Sequence, residues 1–292
     1  MRVTDGMRQS ESLRSLGRLN SRYSEALTRA QTGRRVNLPS SDPAAAAELV
    51  RNRAAQERNA VGKQAAAAAR TDLEQAEGTL AEAGDLFQRA HELAMQGANG
   101  SLGADERKSL ALEVGHLKES LFALANTKGT NGYLFGGTQL ETQPFAAGGA
   151  FSGDDNQKLV DLGMGDPMAA SVSGAKAFTT SGGRNVFADL DALETALNAN
   201  DQAGASATLS GIESSRKQLM AVQADAGLKL ERLSTTEAVM DRVSVALAQR
   251  DEEVGGADPY EAYSDMVQLG QSLEQAVAVA KKVLDLGNIW NF

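Results

Sequence analysis

The sequence predicts a mainly α-helical protein: a long antiparallel helical bundle or coiled coil formed by the N- and C-terminal halves, with a small β-rich inserted domain. Three observations support this prediction. Alanine and leucine are abundant while aromatic residues make up only 4% of the chain, which favours narrow helical seams over one thick core. Apolar residues recur at alternating spacings of three and four in most segments. Only residues 136–185 are instead rich in Gly, Ser, Thr and Asp.

The first predicted helix ends at a glycine, and the next begins at a strong start signal. The apolar stripe of the first helix consists of Leu13, Leu16, Asn20, Tyr23, Leu27 and Ala30. Gly33 and Pro39 interrupt the helical pattern. Asp42 followed by Pro43 favours a new start, because Asp accepts a hydrogen bond from a free backbone N–H and proline fits the first helical position. We therefore predict a hinge and helix cap at Gly33, Pro39, Asp42 and Pro43.

Two more helices are predicted before the insert. The stripe of the first is Leu73, Ala76, Leu80, Ala83, Phe87, Ala90 and Ala94. The stripe of the second is Leu110, Val114, Leu117, Leu121 and Leu124. Gly129 is expected to cap the end of this second helix, and Asn131-Gly132 is typical of a tight turn.

The second half of the chain contains the most regular pattern. Ile212, Leu219, Ala226, Leu233, Met240, Leu247 and Val254 are each seven residues apart. A sustained seven-residue repeat predicts one long helix with a single seam facing another helix. "VGGADPY" then interrupts the pattern, and a last helix carries Met266, Gly270, Leu273, Val277, Ala280 and Leu284.

The predicted organisation is symmetric about the middle of the chain, so that the two ends come together. A polymerisation helix and its linker occupy residues 1–41. The first half of a helical core follows at 42–135, the β-rich outer insert at 136–185, and the second half of the core at 186–254. A C-terminal polymerisation helix occupies residues 255–292.

Charge is distributed unevenly between the ends. The net charge of the whole chain is −9, which disfavours a nucleic-acid partner. Residues 1–35 hold eight arginines against three acids, whereas residues 251–292 hold eight acids against two lysines. Such asymmetry points to a partner. The basic end can pair with the acidic end of the same or a neighbouring chain, or both can be solvated helix faces.

Residues suited to catalysis or metal binding are scarce. The chain has no cysteine, and its two histidines, His91 and His116, both lie in helical patterns. "HELAM" lacks the second histidine of a zinc-protease motif. No metal, no cofactor and no enzymatic activity are therefore expected. The N-terminus lacks the apolar centre of a cleavable signal peptide, and no run of eighteen apolar residues predicts a transmembrane helix.

The two terminal stripes lie beyond breaks in the helical pattern, outside the predicted bundle. A lone pair of helices buries little apolar surface against the entropy of ordering, so we expect the pair to acquire neighbours through polymerisation. Docking on the chain's own bundle is the alternative. The candidate subunit-interface residues are Leu13, Leu16, Tyr23, Leu27, Met266, Leu273, Val277 and Leu284.

Three stretches carry a resemblance to a known family. "QTGRRVNLPSSDPAAAAELV", residues 31–50, resembles the flagellin family, in which a basic pair, a polar spacer and Asp-Pro precede an alanine-rich helix. "ANTKGTNGYLFGGTQLETQPF", residues 125–145, and the N-terminal "MRVTDGM" are similar to the hook-associated branch of that family. Ser41 departs from the pattern, which usually has Asp there. The tail "LDLGNIWNF" lacks the adjacent Ser-Leu-Leu of the family.

The resemblance implies a non-enzymatic structural subunit of the extracellular bacterial flagellum, secreted unfolded through the flagellar type III apparatus. It implies a homo-oligomeric ring between hook and filament, with another hook-associated protein, flagellin subunits and an export chaperone as partners, and no nucleic acid or membrane. Filament flagellin is the alternative within the family. A more distant alternative is a protein whose basic amphipathic N-terminal helix binds a membrane surface.

Overall fold

The architecture is mainly helical. The computed structural model describes residues 2–146, 148–163, 165 and 167–289, and within these ranges it describes the side chains of residue 7 and residues 10–282. The described residues form seven α-helices and two small antiparallel strand pairs. The predicted fold class is therefore confirmed.

The helices are long at both ends of the chain and short near the insert. They are α1 Arg2–Thr32, α2 Pro43–Gly97, α3 Ala104–Ala125, α4 Gly174–Phe178, α5 Val186–Asn198, α6 Gln202–Gly255 and α7 Pro259–Ile289. Each strand has two residues: β1 Lys128–Gly129 pairs with β2 Gly132–Tyr133, and β3 Leu159–Val160 pairs with β4 Met168–Ala169.

The chain divides into two compact units. The terminal unit consists of Met1–Glu57 and Val243–Phe292, and the central unit consists of Arg58–Arg242. Helices α2 and α6 each contribute residues to both units. The five-segment division proposed from the sequence pattern stays a prediction.

The seven-residue repeat of α6 forms one side of the core in the central unit. Ile212, Leu219, Ala226, Leu233 and Met240 are all completely buried. They belong to one hydrophobic cluster with the apolar stripe of α2, the inner face of α3 and the leucines of α5. A seven-residue spacing keeps side chains on one face of a helix. A single row of α6 residues therefore forms one side of the core.

Polar side chains pin α2 against α6 within each unit. In the central unit, Asn59 Nδ2 donates to the backbone oxygen of Met240 at 3.0 Å. Arg70 binds both carboxylate oxygens of Glu237, and this hydrogen bonding raises the pKa of Arg70 above its ordinary value. In the terminal unit, Asn52 Nδ2 donates to the Leu247 oxygen at 2.8 Å. These directional contacts select one register along seams that are mostly alanine and leucine.

A cluster of phenylalanines forms the base of the insert. The ring centroid of Phe145 lies 5.1 Å from Phe151, 5.3 Å from Phe178 and 5.6 Å from Phe187. Phe135 packs edge-on against Phe178 at 5.2 Å. Most of the chain's eight phenylalanines are therefore concentrated here. The short strands and turns of the insert depend on this aromatic core, because two-residue strands provide few ladder hydrogen bonds.

Helix α3 ends earlier than the sequence predicts. Its last residue is Ala125, and Gly129 is not its cap but lies in β1, opposite Gly132. The reason is Asn126, whose side-chain amide donates to the Phe145 oxygen at 3.1 Å and accepts the Phe145 N–H at 3.0 Å. These tertiary hydrogen bonds compete with continuation of the helix, and Asn near a helix end readily makes such contacts.

The side chain of Gln218 ties the end of the insert to α6. Gln218 is largely buried, and its Nε2 lies 3.0 Å from the Ala177 oxygen, 3.2 Å from the Thr179 oxygen and 3.0 Å from the Arg184 oxygen. Its Oε1 accepts the Arg184 N–H at 2.9 Å. Gln218 therefore satisfies backbone groups of a loop that would otherwise be costly to bury.

Truncation of the aromatic cluster tests its contribution to stability. Phe145→Ala is expected to lower the free energy of unfolding by about 3–5 kcal/mol, because a fully buried ring is replaced by a cavity. Leu112→Ala is the control, since Leu112 is 71% exposed and its loss should change stability by about 0.5 kcal/mol or less. Chemical denaturation followed by circular dichroism measures both, and equal effects would contradict the assignment.

Candidate assembly surface

The two breaks in the helical pattern meet in the terminal unit. Arg34 and Gly256 form an isolated antiparallel bridge. The Arg35 N–H donates to the Gly255 oxygen at 2.8 Å, and the Ala257 N–H donates to the Gly33 oxygen at 2.9 Å. We call this contact the clasp. It joins the end of α1 to the beginning of α7 by backbone hydrogen bonds.

Glycine is required where the chain turns into the clasp. Gly33 follows the last residue of α1 and has a φ of 65°, in the left-handed region that other residues rarely adopt. The side chain of Arg34 forms an ion pair with Asp251. Arg35 Nη2 donates to the Val254 oxygen at 2.9 Å. The basic pair therefore binds the last turns of α6, whose carbonyl groups carry the negative end of the helix dipole.

Asp42 caps the start of α2. Its Oδ1 accepts the Ala45 N–H at 3.0 Å, and its Oδ2 lies 3.1 Å from Arg35 Nη1. The backbone hydrogen bond from Ala45, together with Arg35, holds the pKa of the Asp42 carboxyl below its ordinary value. Pro43 is the first helical residue, and Pro39 lies exposed in the preceding turn. The hinge function of these residues stays a prediction.

A small apolar cluster lies beneath the clasp. Val36, Ala45 and Leu49 are buried together, with Val254 packed against them. The linker is therefore attached to α2 and α6 by side-chain packing as well as by the clasp.

Helices α1 and α7 pack against each other as an antiparallel pair. The only ion pair between them among the described side chains joins Arg29 to Asp265 at 3.7 Å. At Gly270, an added Cβ would lie 3.2 Å from Cε2 of Tyr23, which shows how closely the two backbones approach. Pairing within one chain is thus mostly apolar, and the opposite net charges of the two ends contribute one long salt bridge.

The structure places the candidate interface residues at different depths. Leu16, Tyr23, Leu27, Met266 and Leu273 are half-buried along the pair. Leu13 is 59% exposed and Val277 is 39% exposed. The backbone of Leu284 belongs to α7, but its side chain lies outside the described residues.

Two of the three small residues on the inner face of the pair were missed by the sequence pattern, which included only Gly270. Ala26 and Ala262 are buried, and Gly270 faces Tyr23. Leu19 is half-buried, whereas Asn20 in the predicted stripe is exposed. The spacing of Leu19 and Ala26 by seven residues was a signal that could have identified the true inner face. Small residues are easily overlooked because they contribute little to an apolar pattern.

Much apolar surface of the pair remains uncovered in the single chain. Large apolar side chains more than a third exposed are Met7, Leu13, Tyr260, Tyr263, Val267, Val277 and Val279. Exposed apolar side chains in this number on two long helices are typical of an interaction site. The pair can therefore receive further helices along its length.

The described residues contain no group of three or more His, Asp or Glu side chains arranged to hold a metal ion. His116 is exposed beside Glu119, and His91 lies on α2 with its Nδ1 buried. Within the part of the chain that the structure describes, no helix combines the length and apolarity needed to cross a membrane.

The long helical halves, the small insert and the joined ends define a mainly α-helical protein whose terminal helices form a pair. Residues 3–139 match the family model of the bacterial flagellin N-terminal helical region, and the resemblance predicted from the sequence is confirmed. The chain is 29% identical over 263 residues to flagellar hook-associated protein 3 of Escherichia coli strain K12, covering 82% of this chain and 83% of the relative. The same protein of Salmonella typhimurium is 27% identical with the same coverage.

Other comparisons are shorter or concern the fold alone. Flagellin B of Vibrio cholerae is 31% identical over 110 residues, which is 37% of this chain and 28% of the relative. The structure of FlgL from Xanthomonas campestris has a TM-score of 0.59 at 20% identity, covering 68% of this chain and 98% of that one. The flagellar junction protein FlgL from Legionella pneumophila has a TM-score of 0.58 at 19% identity, covering 72% and 100%.

The cap at Asp42 provides a test of the local structure. Asp42→Ala is expected to lower the thermal midpoint, because the Ala45 N–H loses its acceptor. Asp42→Asn should lower it less, since Asn also caps helices. The folded pKa of Asp42 lies below the unfolded value of 3.8, so the stabilisation by its carboxylate is fully present above 3.8 and is lost as pH falls through the folded pKa.

The advantage of the natural chain over Asp42→Asn should therefore shrink on acidification. Thermal unfolding at neutral pH and at about pH 3, followed by circular dichroism, measures it. A difference in midpoint that does not change between the two conditions would show that the carboxylate charge makes no contribution.

Proposed function

We propose that this chain is a structural subunit of the bacterial flagellum that forms the junction between hook and filament, without enzymatic activity. The proposal rests on the share of this chain that aligns with each relative. The similarity to flagellar hook-associated protein 3 extends over 82% of the chain, whereas the similarity to flagellin B extends over 37%. A junction protein and a filament protein share terminal helices, so the longer match favours the junction.

The terminal helices would polymerise by completing their apolar seams against neighbouring subunits. Leu273 is half-buried and Val277 is 39% exposed, so each still has apolar surface to bury. Complete burial of one such side chain contributes about 1.5–3 kcal/mol. When many copies bind together, the free energy gained from several such partial burials per subunit exceeds the entropic cost of ordering the side chains. The resulting assembly would be a ring of identical subunits that also contacts another hook-associated protein and flagellin.

The export route follows from the same surface. A pair of helices with uncovered apolar faces is an aggregation hazard before assembly, and an export chaperone would cover it. We propose secretion of the unfolded chain through the flagellar type III apparatus to the exterior of the cell. The absence of cysteine is compatible with this route, since the chain then needs no disulfide chemistry on arrival.

The clasp would hold the terminal pair in position for assembly. Gly33, Pro39, Asp42 and Pro43 lie where α1 gives way to α2, and the clasp ties this linker to the start of α7. Limited adjustment at Gly33 would let the pair reorient without breaking either helix. In this proposal the hinge changes the orientation of the terminal pair, so that one subunit can contact both the hook on one side and the filament on the other.

Filament flagellin is the second candidate, because residues 3–139 match the flagellin N-terminal region. Deletion of the gene separates the two functions. For a junction protein, we expect cells that still synthesise flagellin but release it into the medium as monomer. For a filament protein, the major filament band itself disappears from cells and medium. Immunoblots of both fractions measure the outcome, and the second result would overturn the proposal.

A charged residue in the terminal seam should block assembly. Leu273→Asp or Val277→Asp is expected to leave the central unit folded but to prevent incorporation into flagella, because a buried unpaired carboxylate is costly. Circular dichroism of the purified variant checks the fold, and electron microscopy of complemented deletion cells checks filament formation.

The matched control is Leu112→Asp, which introduces the same charge at a leucine that is 71% exposed in the central unit. Its incorporation should remain normal. Full-length filaments in normal number with Leu273→Asp would show that the seam assignment is wrong.

A further inference from the structure

Three arginines form an exposed row on α1. Arg14, Arg18 and Arg22 are four residues apart, so their side chains lie one above the other on the helix. All three are exposed, and none forms an ion pair with a described side chain. Like charges at this spacing repel one another. The arginine row therefore weakens the helix of a lone chain, which is understandable if a neighbour supplies the compensating charge.

A surface of opposite charge lies where α6 ends and α7 begins. Residues 251–261 hold five carboxylates and no lysine or arginine. Asp251 is engaged by Arg34, and Asp258 accepts the Tyr260 N–H at 2.8 Å as the cap of α7. The remaining three form what we call the acidic corner, and all are exposed: Glu252, Glu253 and Glu261. Only Glu253 has a basic partner among the described side chains, Arg250 at 3.3 Å.

The two surfaces cannot meet within one chain. The acidic corner adjoins the clasp, where α1 ends, whereas Arg18 lies fifteen residues before Gly33. Fifteen helical residues correspond to about 22 Å along α1. Between Asp265 and Lys281, α7 has a single acid, Glu274, so the helix paired with α1 offers the row little compensation.

We infer that the arginine row of one copy binds the acidic corner of a second copy of this chain, lying alongside and displaced by about 22 Å along the terminal helices. This inference rests on the proposed function, in which copies lie side by side in one layer. A second copy is the occupant because it presents the complementary charge on the same terminal unit. The row contributes mainly register and selectivity, since exposed ion pairs are individually weak.

The surface beside the row permits close approach of the neighbour. Gly17 lies between the arginines, and no atom lies within 4 Å of the position its Cβ would take. Ser21, one turn further, is also small and exposed. A second helix can therefore rest against the backbone of α1 while the arginines reach around it.

The contact is heterologous: the row of each copy meets the corner of the next. Heterologous contacts generate a ring when the rotation between copies closes and the displacement has no component along the rotation axis, and they generate a helical array otherwise. Each copy thus uses both surfaces once. The axial displacement set by the charges determines the stagger between neighbours.

Charge exchange tests the inference in the full chain. Arg18→Glu with Arg22→Glu should reduce the amount of this chain in isolated flagella about tenfold, because attraction becomes repulsion. Glu252→Lys with Glu261→Lys should have a similar effect. A chain that carries all four changes should recover to within about twofold of normal. Arg232→Glu with Arg242→Glu is the matched control, since both arginines are exposed on α6, and it should incorporate normally.

Cross-linking provides a second measurement, which the natural absence of cysteine makes clean. The extended side chains of an arginine–glutamate pair hold their Cα atoms further apart than the roughly 7 Å that a disulfide permits, so a short bis-maleimide cross-linker is used. With Arg18→Cys and Glu261→Cys, treatment of isolated flagella should join cysteines between copies and give a ladder of multiples of 30.6 kDa, absent from either single variant.

The outcomes are distinguishable. Flagella that contain normal amounts of the double-cysteine chain but give no ladder would overturn the inference and leave the proposed function standing. The inference would also be overturned if the chain that carries all four substitutions were incorporated no better than either double variant. If the unmodified chain itself were absent from isolated flagella, the proposed function would fail and the inference with it.

Discussion

The clasp is the constraint on which the rest of the terminal unit depends. Two backbone hydrogen bonds join Arg35 and Ala257 to the opposite break, and they bring the end of α1 beside the start of α7. Without this junction, two helices separated by more than two hundred residues would face a large entropic cost of meeting. The clasp confines both ends locally. Weak apolar packing between α1 and α7 is then sufficient to hold an antiparallel pair.

The terminal pair leaves part of its apolar surface uncovered in the single chain. Its inner face contains the small residues Ala26, Ala262 and Gly270, which let the backbones approach. Its larger apolar side chains are left half-buried or exposed along the flanks. In the proposed assembly this balance is needed, because a pair that buried all its apolar surface would gain no free energy from contact with neighbours. The central unit shows the opposite design, with completely buried rows and side-chain hydrogen bonds to backbone groups.

Long apolar repeats could be identified from the sequence, whereas the end of a helix such as α3 could not. The seven-residue series from Ile212 to Val254 predicted a buried seam. Its members from Ile212 to Met240 are buried, whereas Leu247 and Val254 are half-buried. Gly129 was expected to end a helix that in fact ends at Ala125, because Asn126 finds Phe145 as a tertiary partner. At the assembly surface, Leu16, Leu27 and their counterparts on α7 were identifiable, but Ala26 and Ala262 were not. Small residues gain their importance only from what faces them.

The sequence by itself determined the helices, their breaks and the opposite charges of the two ends, because these depend on spacing, glycine, proline and the count of ionisable groups. The tertiary structure alone decided how the ends are joined. It pairs the two breaks through Arg34 and Gly256, a contact between backbone groups that have no signature in the sequence. It also leaves Arg14, Arg18 and Arg22 of α1 exposed to solvent, since apolar packing sets the rotation of a helix more strongly than exposed charge does.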